Sequence, residues 1–116
     1  MLKEQLDGVF IKEEDGYFDE DKVGAQFYSM IKQLSGEEAY ELIDEAINYL
    51  LQSTDTEVIA YMLEFISSLY GIAGTNELTD LHEMKASVID RQVEICGNQF
   101  THNVLNNLKR ELGTAT

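Results

Sequence analysis

The sequence predicts an all-α fold in a single domain, and three observations carry that prediction. Apolar residues recur at spacings of three and four over five successive stretches between residues 21 and 112, the period of a helix with one buried face. The 116 residues include no Pro, so the links between elements fall to Gly, Ser, Thr and Asn turns. No alternating run in that region reads as a central strand. A chain of this length buries a working core without disulfides or metal.

Residues 1–19 read as an irregular lead-in. Val9-Phe10-Ile11 and Tyr17-Phe18 flank Asp15-Gly16, which suggests a small hairpin on an Asp-Gly turn; a short helix begun at Leu2 and stopped at Gly8 is the other possibility. The acids between Glu13 and Asp19 do not form a calcium loop. Setting Gly16 at loop position six places Ile11 and Lys22 where two carboxylate ligands are required.

A first helix over residues 21–34 follows from Val23, Phe27, Met30, Ile31 and Leu34, with Asp19, Glu20 and Asp21 at its positive end. Ser35-x-x-Glu38 has capping-box spacing and opens a second helix. There, Ala39, Leu42, Ile43, Ala46, Ile47 and Leu50 share one face, while Glu37, Glu38, Glu41, Asp44, Glu45, Asn48 and Gln52 share the other. Thr54-x-x-Glu57 repeats the capping spacing and begins a third helix expected to end at Tyr70, before Gly71 and Gly74. Its apolar residues, centred on Phe65 and Ile66, spread over more than half the circumference, so it must be covered on two sides. A fourth helix over residues 77–96, capped by Thr75 or Asn76, is expected to bury Leu78, Leu81, Met84, Val88 and Ile95. A fifth, over residues 101–112, carries a seam of Val104, Leu105, Leu108 and Leu112, and residues 113–116 read as a frayed tail. Antiparallel hairpins of these helices would either stack as a short HEAT-like solenoid or close into a compact bundle.

Charge is distributed unevenly. Residues 33–84 hold eleven acids and no Lys or Arg, so the formal net charge divides as −4 before this stretch, −11 within it and +1 after it. Like charges at this density repel one another, and a fold does not require them. A pI near 4.2 argues against nucleic acid or an anionic membrane as a direct ligand. It points instead to a basic protein partner, or to solubility alone. The N-terminal residues form no apolar signal segment and the lone Cys96 cannot form an internal disulfide, which together suggest the cytoplasm.

No catalytic, cofactor or metal motif emerges. His82-Glu83-Met84-Lys85-Ala86 has Ala where a zinc helix needs its second His. Neither His follows a Glu by three residues, as a di-iron site would require. Cys96 and His102 lack an evident carboxylate to orient them as a nucleophile pair, so a buried inert Cys is the simpler account. The expectation is therefore a binding protein and not an enzyme. Its candidate partner-binding residues are Glu37, Tyr40, Glu41, Asp44, Glu45, Asn48, Tyr49 and Glu64, because Tyr beside carboxylates suits the anchoring of Lys and Arg side chains.

With its acidic composition and a closing helix of the form Asn103-Val-Leu-Asn-Asn-Leu-Lys-Arg-Glu-Leu112, the chain over residues 20–112 resembles the small helical immunity proteins of bacterial toxin–immunity systems, contact-dependent growth inhibition among them. The resemblance implies that the protein binds a cognate toxin domain, often a basic nuclease, and blocks its active site or substrate groove. Two alternatives from other classes use the same features. An acidic nucleic-acid mimic would inhibit a phage-defence effector, and a helical scaffold or regulatory subunit would oligomerise through its apolar faces.

Overall fold

The computed structural model describes residues 2–113, which form six helices: α1 (Leu2–Val9), α2 (Glu20–Ile31), α3 (Gly36–Gln52), α4 (Thr56–Ala73), α5 (Asp80–Cys96) and α6 (Gln99–Glu111). No strand occurs among the described residues. The all-α expectation holds, with one helix more than the five anticipated.

The additional helix is the N-terminal one, the short helix begun at Leu2 that the sequence allowed beside a hairpin, except that it does not stop at Gly8. Leu2, Leu6 and Val9, spaced four and three apart, are all buried, and α1 runs through Gly8 to dock this stripe on α3 and α2. The Asp15-Gly16 turn does form: Gly16 takes φ +86° and donates its N–H to the Glu13 carbonyl, while Glu13 N–H donates to the Tyr17 carbonyl. No strands flank it, because Ile11 and Tyr17 face solvent and only one side of the segment has a core to pair with. Lys12 instead pairs with Asp55 at 3.1 Å, and Phe10 and Phe18 meet edge to face at 5.7 Å between ring centres.

Cap chemistry sets most helix ends. Ser35 and Glu38 form the expected reciprocal box at the start of α3. The α4 start differs: Asp55, not Thr54, is the N-cap, its carboxylate accepting from Glu57 N–H and Val58 N–H. α4 continues through Gly71 to Ala73, and Gly74 ends it in the left-handed region at φ +71°. Asn98 and Thr101 cap α6. α2 stops at Ile31, short of the expected Leu34, which lies half-buried in the link to α3. Residues 114–116 of the expected tail lie outside the described residues.

α5 departs furthest from expectation. Thr79 is its N-cap, and its buried residues are His82, Ile89 and Val93, with Leu78 and Leu81 partly covered. Met84, Val88 and Ile95, expected inside, are 71%, 43% and 68% exposed. Both ends of the helix fix this rotation. The Tyr70 hydroxyl and His82 Nδ1 lie 2.7 Å apart near its start; near its end the Gln92 amide donates to the Ser53 carbonyl and the Thr56 hydroxyl donates to the Cys96 carbonyl. The periodicity of α5 offers two apolar faces, and these polar ties select between them.

Consecutive helices pair as α1/α2, α3/α4 and α5/α6; the short links 53–55 and 97–98 require antiparallel partners in the last two pairs, while the longer segment 10–19 joins the first. α1, α3 and α5 pack side by side in one layer, and α4 packs on α6 in the other. The most extensive interface joins α3 to α4. α4 contributes Ile59, Met62, Leu63, Phe65, Ile66 and Leu69, each 1% exposed or less, as its wide apolar arc requires. With only three pairs the stack remains compact: the radius of gyration is 13.5 Å, close to the roughly 13 Å of a globular domain this long.

Candidate functional site

The acids of α3 occupy the expected surface. Glu37, Glu41, Glu45 and Asn48 are exposed. Among the described residues, the ion pairs join Lys3 to Asp7, Lys12 to Asp55, Lys22 to Glu13 and Lys109 to Asp90, and none reaches these α3 carboxylates. Glu38 is occupied by its cap, where the Ser35 N–H, with the Ser35 side chain, holds its carboxyl below the usual range.

The remaining members of the predicted set are placed differently. Asp44 is half-buried, and its Oδ1 is enclosed without a hydrogen-bond partner among the described residues. The Tyr40 hydroxyl donates to the Glu77 carbonyl at 3.0 Å. The Tyr49 hydroxyl donates to Asp7 Oδ1 at 2.8 Å, while its ring stacks on Phe10. These two tyrosines thus tie α3 to the α4–α5 link and to α1, and their hydroxyls are already engaged within the fold. Burial, followed by the charges of Glu77, Asp80, Asp44 and Glu83, raises the Tyr40 phenol. The fold therefore draws acids from the start of α5 beside those of α3, a grouping invisible in either helix alone.

Glu64 does not join this face. It lies on α4, in a cleft of about 410 Å³ where α2 stands off α4 and the start of α6 closes one end. Glu20 of α2 and Glu57 of α4 are the other acids, and no Lys or Arg among the described residues lines the cleft. Phe27 and Tyr61 supply aromatic wall, and Phe100, 59% exposed, stands at the α6 end. Phe27 reaches across to Phe65 at 4.7 Å between ring centres, bridging α2 and α4 in the core. Gly24 presents no side chain, and open space lies where its Cβ would stand. Burial, and then the charge of Glu20, pushes the Glu64 carboxyl above its usual range. Burial, then Glu20, Glu57, Glu64 and Asp19 in turn, raises the Tyr61 phenol. The charges of three glutamates that line the cleft, one on α2 and two on α4, therefore all bear on Tyr61.

Sequence reasoning found Glu64 but not its companions. Glu57 and Tyr61 lie on α4 within two turns of Glu64, whereas Glu20 on α2 and Phe100 on α6 are distant in sequence, and only the fold sets them beside the others. The clearest signal available in the sequence was Gly24, a small residue on the inner side of an otherwise good helix, which marks a place where a side chain is omitted.

Among the described residues, no three His, Cys, Asp or Glu side chains assemble as a metal-binding group, and no helix is long and apolar enough to cross a membrane. Comparison with protein-family models, curated proteins and solved structures returns no match.

Proposed function

We propose that the protein is a binding module for a basic protein, acting as an inhibitor of the immunity type that neutralises a cognate basic toxin of the nuclease class in the cytoplasm. The observation that carries this reading is the row of exposed carboxylates Glu37, Glu41 and Glu45 on α3, which no ion pair among the described residues reaches, with Asp80 and Glu83 from the start of α5 brought near Tyr40 and Asp44 of the same helix. Like charges at i,i+4, such as Glu37/Glu41 and Glu41/Glu45, each cost a few tenths of a kcal/mol in an isolated helix. Lys and Arg side chains of a partner relieve that repulsion and are steered toward it.

The test is co-purification of the tagged protein with the product of its neighbouring gene, followed by assay of that product's activity. Changing Glu37, Glu41 and Glu45 together to Lys is expected to leave helicity unchanged and weaken binding by about 2 kcal/mol or more. Asp44 is left intact because its half-buried carboxylate belongs to the fold. Association should also slow as salt rises. Unchanged inhibition by the triple variant, with no salt effect on the association rate, counts against the reading.

A second reading, a helical scaffold or regulatory subunit, has one observation in its favour: the exposed Met84, Val88 and Ile95 lie along one side of α5. Sedimentation over a range of concentrations separates the two, since self-association that Val88→Glu abolishes would favour the scaffold.

A further inference from the structure

We propose that the cleft between α2, α4 and the start of α6 is a receptor for a guanidinium group, and that its occupant is an arginine side chain of the partner protein. This rests on the reading of the protein as a module for basic partners and narrows it to one pocket and one side chain.

The walls specify the ligand. Glu20 and Glu64 approach from different helices and Glu57 from a third position, all beside Tyr61. Phe27, Tyr61 and Phe100 supply ring faces and edges around the same space. Carboxylates and aromatic rings on one cleft, with no Lys or Arg lining it among the described residues, define a seat for a cation that also offers a flat or apolar surface. A guanidinium meets both demands. It is planar, stacks on rings, carries five N–H donors for several carboxylates at once, and gives up its hydration more readily than an ammonium. The volume of about 410 Å³ admits a whole arginine side chain with its methylene stem, which the apolar wall can cover.

The cleft's own carboxylates also carry an electrostatic burden. Glu64 is displaced from its ordinary ionisation first by burial and then by Glu20 across the gap, and a cation between them reverses that effect. Gly24 keeps the α2 wall free of a side chain that would fill the space. The α3 surface differs in kind: it is convex, solvated and suited to long-range attraction, whereas the cleft can hold one group in a fixed orientation.

The experiment is an amide-resonance titration of the full chain with N-acetyl-arginine N-methylamide. Saturable shifts are expected at Gly24, Ala60, Glu64 and Phe100, around the cleft. The neutral citrulline analogue should produce none, and the lysine analogue should bind several-fold more weakly. Free arginine should also bind more weakly, because its α-carboxylate meets the three glutamates; the reverse order would assign the cleft to a small metabolite and overturn the protein-side-chain assignment. Glu20→Gln with Glu64→Gln is expected to weaken binding about ten-fold or more while removing like-charge strain from the fold. Glu94→Gln should change it by no more than about two-fold, since that exposed acid of α5 lies outside the cleft and acts only through screened distance. Shifts centred on α3, equal binding of the citrulline or lysine analogue, or no saturable shift at the cleft would each overturn the proposal. The partner-binding experiment with the α3 variant stands apart from all three outcomes, so failure at the cleft leaves the broader reading to be judged on its own result.

Discussion

His82 illustrates how one buried polar residue can fix both a helix and a pH response. It is 7% exposed, and its Nδ1 lies 2.7 Å from the Tyr70 hydroxyl, which also accepts the Thr79 N–H at 3.3 Å. The tautomer sets the direction of this bond: with the hydroxyl donating to Nδ1, the neutral imidazole carries its hydrogen on Nε2. Burial lowers the His82 pKa from its ordinary 6.5. The unfolded chain takes up the proton at the ordinary value and the folded chain only at lower pH. The contribution to stability is therefore fully present above about 6.5 and is lost as pH falls from there toward the folded value. Urea midpoints measured at about pH 7.5 and about pH 5.5 should drop between the two in the native protein and drop less in His82→Gln. Equal drops would remove His82 as the titrating group.

At the scale of the element, α4 shows why a glycine is not always a stop signal. Gly71 lies inside the helix, and a Cβ there would meet nothing within 4 Å. Gly71→Ala is expected to raise stability by about 0.5–1 kcal/mol through helix propensity alone. Gly74, three residues on, holds φ +71°, where an added Cβ is strained. Gly74→Ala should lower stability by about 1 kcal/mol. Chemical denaturation of the two variants reads the contrast directly, and a matching sign at both sites would contradict these positions in the helix. α5 teaches a related lesson about faces. Its pattern permits Met84, Val88 and Ile95 to point inward, but the polar ties to Tyr70, Ser53 and Thr56 turn that side to solvent.

For the whole molecule the dominant feature is charge. A formal net charge of −14 on 116 residues repels itself within the compact state, and dissolved ions screen that repulsion. The thermal midpoint should rise between about 20 mM and about 500 mM sodium chloride, a range over which the screening length shortens severalfold. A flat or falling profile would mean that the acids are already offset within the fold. The same repulsion acts locally where Glu20 faces Glu64, at the place where α2 stands off its neighbour.

The sequence by itself determined the helical class, the long helices, the Ser35 and Asn98 region turns, the central role of Phe65 and Ile66, and the exposed acids of α3. Each depends on local periodicity or on caps within four residues, where the signal and the structure share one length scale. Tertiary structure decided the rest. It made α1 a helix by giving Leu2, Leu6 and Val9 a surface to cover, and it rotated α5 by hydrogen bonds that span about ten to forty residues. It engaged Tyr40 and Tyr49 within the fold, and separated Glu64 from the α3 acids to set it beside Glu20 and Tyr61. Such groupings depend on which helix faces meet, and a single helix's pattern carries no record of its neighbour's charges.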